Sequence, residues 1–165
     1  WRKHIRVQLA DKVLLVIGTG NIGSRVAKKM QGVLKVETYD LLQNTTTELK
    51  TLLESADCIT LHIPKSEENN NFIDGEKLSW MKDGAVLINT ARGATVDEDA
   101  LFKEIDVFRL RAAFDVYWQE PYQGKLKQFH PDRFYMTPHV ASTCNGFIEG
   151  CRNDLNILIE ELSRA

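Results

Sequence analysis

The stretch Asp11–Asp40, DKVLLVIGTGNIGSRVAKKMQGVLKVETYD, decides the fold. Val13 to Ile17 is an unbroken apolar run, the pattern of a strand buried on both faces of a parallel sheet. Gly18, Gly20 and Gly23 follow at once as G-x-G-x-x-G. In a strand-to-helix turn the first glycine reverses the chain, the second lets a phosphate approach the backbone, and the third brings helix and strand together. From Asn21 to Met30 the apolar residues Ile22, Val26 and Met30 recur four apart, which predicts a helix with that face toward the sheet. The amides at its start suit a pyrophosphate. A second strand, Lys35 to Tyr39, ends at Asp40, at the spacing where a carboxylate accepts a ribose 2′-hydroxyl. The plain alternative is a tight turn with a solvated Asp40. Leu41, Leu42 and Gln43 offer no cation for a 2′-phosphate, and Asp40 would repel one, which favours NAD over NADP.

A chain of 165 residues with 43% hydrophobic residues suits one domain with a sizeable core. Its net charge of −2, with both signs interspersed, gives no basic field for nucleic acid and no polybasic membrane patch. Cofactor charge must be handled locally. Cys58, Cys144 and Cys151 are an odd set without metal-ligand spacing, as expected of reduced thiols in a cytoplasmic protein without a metal site. No signal peptide or membrane span is expected from the composition. The start at Trp1, without a methionine, fits a piece of a longer protein.

Residues 1–10 read as a basic lead-in or former interdomain linker ahead of a dinucleotide-binding domain. Thr45 to Glu48 resembles a capping box, with Leu49, Leu52 and Leu53 as the buried face of the helix behind it. Cys58 to Ile63 is a third strand stopped by Pro64, and Lys65 to Asn71 an exposed polar loop. A short helix near Gly75 to Met81 leads to the strand Ala85 to Asn89. Asp97, Glu98 and Asp99 then open another helix, where acids suit the positive end. Strands at Arg111 to Phe114 and Arg133 to Met136 precede a long helix from about Ser142 to Leu162. Strands alternating with helices make a doubly wound parallel α/β sheet. Ligands bind such sheets outside the carboxyl ends of the strands. The candidate site is therefore Gly18 to Gly23, Asp40, His62 to Pro64, Thr90 to Gly93, Asp115 to Glu120 and Thr137 to Ser142.

Arg92, Glu120 and His139 have complementary chemistry in that set. A 2-oxo or 2-hydroxy acid needs a fixed cation for its carboxylate, and arginine supplies a planar, permanently charged fork. It also needs a group that exchanges a proton with its oxygen; histidine does this, aided by a carboxylate that stabilises its protonated form. For Arg92 and Glu120 the ordinary alternative is surface ion pairing. His4 and His130 read as surface histidines.

At three further segments a resemblance becomes specific: INTARGATVDE from Ile88 to Glu98, FDVYWQEP from Phe114 to Pro121, and TPHVAST from Thr137 to Thr143. With the glycine turn, Asp40 and Leu61-His62-Ile63-Pro64, they resemble the signatures of the D-isomer-specific 2-hydroxyacid dehydrogenases, in order and over nearly the whole chain. The resemblance implies a Rossmann-type NAD-binding domain. It makes Arg92 the carboxylate-binding and carbonyl-polarising residue, His139 the general acid/base, and Glu120 the group that orients and charges the imidazole. Asn21 and Ile22 would lie beneath the pyrophosphate, Ile63 and Pro64 beside the cofactor, and Thr90, Ala91 and Asp115 near the nicotinamide. His62 suits a buried structural role as well as a contact. Ala141 stands where glycine is common, which tightens the approach to the nicotinamide.

Other departures concern loops. Gln31 to Lys35 and Asp40 to Glu48 are compressed, and Phe108 to Arg111 lacks the glycines usual before the strand leading to Asp115. The family's substrate domain has no counterpart in this chain, which the resemblance makes the cofactor half of a homodimeric enzyme acting on a small 2-oxo or 2-hydroxy acid. Some corepressors of the same family retain the three residues, so an NAD(H)-sensing interaction protein is the rival reading.

Overall fold

The computed structural model describes residues 9–142 together with Gly146 and Glu149. The predicted helix beyond Ser142, Cys144, Cys151, His4 and most of the lead-in lie outside the described residues. The elements alternate as β1 (Val13–Ile17), α1 (Asn21–Met30), β2 (Lys35–Tyr39), α2 (Thr46–Ser55), β3 (Cys58–Leu61), α3 (Gly75–Trp80), β4 (Val86–Asn89), α4 (Glu98–Asp106), β5 (Arg111–Phe114) and β6 (Phe134–Met136). All neighbours pair in parallel, in the order β2-β1-β3-β4-β5-β6. The chain winds outward from β1 to β2 and then crosses back to β3, so the switch point lies between β1 and β3.

Side chains alternate across β1 as the pleat requires. Leu15 and Ile17 enter a large core with Leu49 and Leu53 of α2, Leu78 of α3 and Leu101 and Ile105 of α4. Leu14 and Val16 instead meet Ala27 of α1, with Val26 and Met30 at the margin. The apolar run thus works as a strand buried on both faces. The sheet-facing side of α1 differs from the predicted one in its first turn. Gly23 and Ala27 are buried, Gly23 against the Gly18 carbonyl and the His62 side chain, whereas Ile22, one residue round the helix from Gly23, is 67% exposed.

The capping box is present: Glu48 N–H donates to Thr45 Oγ1, and Thr45 N–H donates to Glu48 at 2.6 Å. Strand β3 stops at Leu61 and not at Ile63, because the ladder partners run out: Leu61 pairs with the last residues of β1 and β4. That releases His62, Ile63 and Pro64 into the site. The 65–71 loop is not wholly exposed, since Asn69 is buried and donates its side-chain amide to the Pro64 carbonyl at 2.9 Å. Where glycine is lacking before β5, Phe108 itself takes a left-handed φ of 63° and lies beneath the Arg133 guanidinium.

Candidate cofactor and catalytic site

The glycine turn follows β1 at the switch point, and its first and third glycines are required by the protein itself. A Cβ on Gly23 would overlap the Gly18 carbonyl oxygen, and one on Gly18, at φ +91°, would press on the His62 carbonyl. Gly20 is different: a Cβ there meets no protein atom within 4 Å. What its missing side chain leaves clear is the space over the start of α1. That start carries no side-chain cap and no acid in its first turn. Helices α2, α3 and α4 are each capped, by Thr45, Asp74 and Asp97. Uncapped amides at the positive end of a helix, bordered by open space, fit a diphosphate.

The loops after three strands meet here around a cavity of about 440 Å³. The turn after β1 contributes Gly20, Asn21 and Ile22; the β3 end His62, Ile63 and Pro64; the β4 end Thr90, Ala91 and Arg92. The exposed Ile22 is therefore a wall of the cavity. Lys65, which the sequence did not single out, adds a cation to the same wall. His62 serves both readings: its Nε2 lies 3.1 Å from Thr60 Oγ1, burial lowers its pKa, and it borders the cavity. Asp40 stands at the end of β2, where its carboxylate accepts from the amide and hydroxyl of Thr19 and from the amide of Leu42. The Thr19 hydroxyl above all holds the Asp40 carboxyl below its ordinary value, so it is ionised at neutral pH.

The catalytic candidates come together in part. His139 Nδ1 lies 2.8 Å from Glu120 Oε2, while Glu120 Oε1 accepts from the Tyr117 amide at 3.1 Å. The His139 hydrogen bond is the main cause of a lowered Glu120 carboxyl. With Nδ1 turned to an anionic carboxylate, Nε2 is the ring nitrogen left to face a reactant. Both residues line a second cavity, of about 550 Å³, beside β5 and β6.

Arg92 is not in that cavity. Its Nη1 folds back to donate to the Ala91 carbonyl at 2.6 Å. The Arg92 and Glu120 loops are nonetheless joined. Gly93 packs so closely that a Cβ would overlap the Tyr117–Trp118 peptide, and Trp118 Nε1 donates to the Val96 carbonyl at 2.7 Å.

Asp115, 5% exposed, turns its carboxylate toward the His139 loop. Oδ1 accepts from Thr137 Oγ1 at 2.5 Å and Val140 N at 2.9 Å, and Oδ2 from Ala141 N at 2.8 Å. His139, which lies between Thr137 and these two amides, holds a left-handed φ of 54°. Asn89, fully buried at the end of β4, does the same for the other loop. Its side chain accepts from Ala91 N and donates to the Arg92 carbonyl. Sequence reading passed over Asn89 and Thr19; the one available signal for Asn89 was an amide closing an apolar strand.

The D-isomer specific 2-hydroxyacid dehydrogenase, NAD binding domain, family matches residues 1–141. The chain belongs to that family. A hydroxypyruvate reductase of Thermotoga maritima is 36% identical over 146 residues, covering 82% of this chain and 48% of the relative. A glycerate dehydrogenase of Methylorubrum extorquens is 38% identical over 138 residues, or 81% and 44% of the two chains. The solved D-lactate dehydrogenase of Aquifex aeolicus, complexed with NAD and lactic acid, superposes with a TM-score of 0.79 at 31% identity, over 93% of this chain and 54% of that one. The domain spans about half the length of these relatives.

Proposed function

We propose that this domain is the cofactor half of an NAD-dependent dehydrogenase that interconverts a small 2-oxo acid and the corresponding D-2-hydroxy acid. The observation that carries the reading is the Glu120–His139 pair, held at the carboxyl edge of a sheet whose neighbouring loops form a glycine-turn cavity with an uncapped helix start. When bound there, NADH supplies the hydride. Gly18 and Gly23 let the turn close, Gly20 lets the dinucleotide approach α1, and Asp40 accepts a hydroxyl of the adenosine ribose. Ile63, Pro64, Thr90 and Ala91 wall its path across the sheet edge, with Asp115 and Ala141 fixing the loop at the nicotinamide end. His139 Nε2 donates a proton to the substrate oxygen as carbonyl becomes alcohol and recovers it in reverse, while Glu120 stabilises the charged imidazole. Arg92, unfolded from the Ala91 carbonyl, binds the substrate carboxylate as a fork.

The remaining half of the protein would supply the substrate pocket and exclude water. A homodimer in the cytoplasm completes this reading, supported by the family resemblance. No helix among the described residues is long and apolar enough to cross a membrane. The relatives named above are reductases and dehydrogenases, which favours an enzyme over a corepressor-like sensor.

Steady-state assays of the intact protein with NADH and a panel of hydroxypyruvate, glyoxylate and pyruvate test the proposal. Turnover of at least one is expected, and His139→Gln should lower kcat by roughly a hundredfold or more, the usual contribution of a positioned acid/base. An intact protein whose rate ignores that substitution would sink the assignment.

A further inference from the structure

The Asp40 carboxylate has a division of labour that the sequence does not reveal. Oδ2 accepts two hydrogen bonds from Thr19, one from the amide at 2.9 Å and one from the hydroxyl at 2.6 Å. Oδ1 accepts one, from Leu42 N at 3.1 Å. A carboxylate oxygen has two lone-pair directions, so Oδ2 is filled and one acceptor position remains, on Oδ1. An adenosine ribose presents two adjacent hydroxyls, and a carboxylate free of other partners takes both with its two oxygens. Here it has room for one.

The second acceptor is already in place. Thr19 Oγ1 gives its only proton to Asp40, which leaves its lone pairs unassigned beside the carboxylate. Thr19 is held there by the turn itself: Gly18 takes φ +91° and donates its amide to the Tyr39 carbonyl, tying the residue before Thr19 to the residue before Asp40.

We infer that Thr19 is a specificity-determining residue: it pins Asp40 and, with Asp40 Oδ1, forms a two-oxygen acceptor for the ribose cis-diol. This rests on the cofactor site proposed above. A 2′-phosphate meets a lone-pair oxygen and a fixed anion at once, so both halves of the acceptor reject NADPH. Valine has the shape of threonine without the hydroxyl, and serine keeps the hydroxyl without the methyl.

The test is calorimetric titration of the purified protein with NADH and with NADPH, for the parent and for Thr19→Val, Thr19→Ser, Asp40→Ala and the Thr19→Val/Asp40→Ala pair. Thr19→Val should weaken NADH by roughly tenfold, the loss typical of a hydrogen bond involving a charged group. It should leave NADPH unchanged or tighter, and Thr19→Ser should restore the parent's ratio. Because Thr19 acts through and beside Asp40, the double variant should bind NADH more tightly than the summed single losses predict. A melting temperature near the parent's separates these effects from misfolding. If the parent discriminates between the cofactors and Thr19→Val does so equally well, the inference on Thr19 falls while the cofactor site stands. Additive losses, or a serine variant no better than valine, would also overturn it. A parent that binds neither nucleotide would overturn both.

Discussion

Asp115 commits three of its acceptor positions to Thr137, Val140 and Ala141, and so acts on His139 without touching it. A non-glycine residue in the left-handed region costs about 1–3 kcal/mol and persists only where its surroundings over-determine it. The Thr137 hydroxyl before His139 and the Val140 and Ala141 amides after it, all fixed by one buried carboxylate, provide that constraint. Burial alone would raise the Asp115 carboxyl, but the Thr137 hydroxyl and the two amides outweigh it and hold the value below the ordinary one. The folded value is the lower of the two, so the stability it contributes is complete above the unfolded value of about 4. It is lost as pH falls through the folded value. Asp115→Asn should therefore lower the melting temperature at neutral pH and flatten its further decline between about pH 5 and pH 2. In the intact protein it should also cut kcat, by releasing His139 from its strained conformation. A parental acid limb in differential scanning calorimetry would refute the clamp.

Helix starts divide the elements by purpose. Thr45, Asp74 and Asp97 satisfy amides at the starts of α2, α3 and α4, and those helices pack into the core. The start of α1 is left to the cofactor. Thr45→Ala should accordingly cost about 1 kcal/mol of stability, read by denaturant titration, with NADH affinity unchanged. Gly93→Ala makes the opposite pairing. Its Cβ would strike the Tyr117–Trp118 backbone, which cannot yield as a flexible side chain would, and would part the Arg92 loop from the Glu120 loop. A loss of more than about 2 kcal/mol is expected, the range of overpacked contacts. In the intact protein kcat should fall further than the NADH Kd rises. An alanine variant with parental kcat would show that the two loops work independently.

The whole molecule presents its candidate site along one edge of a six-stranded sheet. That edge can position cofactor, acid and arginine, yet the described residues leave Arg92 turned toward its own loop and His139 at the rim of an open cavity. Closure over a reaction excludes water and holds the reacting carbons in register, effects worth several kcal/mol of barrier. Residues 1–165 alone should therefore bind NADH but reduce 2-oxo acids at least about a thousandfold more slowly than the intact protein. Stopped-flow fluorescence of bound NADH, beside turnover assays of both proteins, checks the two halves of that statement. Comparable turnover by residues 1–165 would mean that one sheet edge suffices for the chemistry.

The sequence by itself determined the order and kind of the strands and α-helices between Val13 and Met136, the glycine turn, the Thr45 cap and the acid closing β2. Each depends on residues a few positions apart, where periodicity, capping and turn geometry act locally. It also marked Glu120 and His139 as partners through their chemistry, though their sequences are separated by another strand. The inward placement of Ile22 failed because the face that packs runs through Gly23 and Ala27, and a glycine leaves no apolar mark for periodicity to read. Only the tertiary structure decided that Thr19 pins Asp40, that Asp115 grips the His139 loop, that Asn89 holds the Arg92 loop, and that Gly93 joins that loop to the one carrying Glu120. The loops following β1, β2, β4, β5 and β6 become neighbours only once the parallel ladder sets the strands side by side. At that edge a single hydrogen bond or a single methyl group fixes the geometry, and neither leaves a periodic trace in the chain.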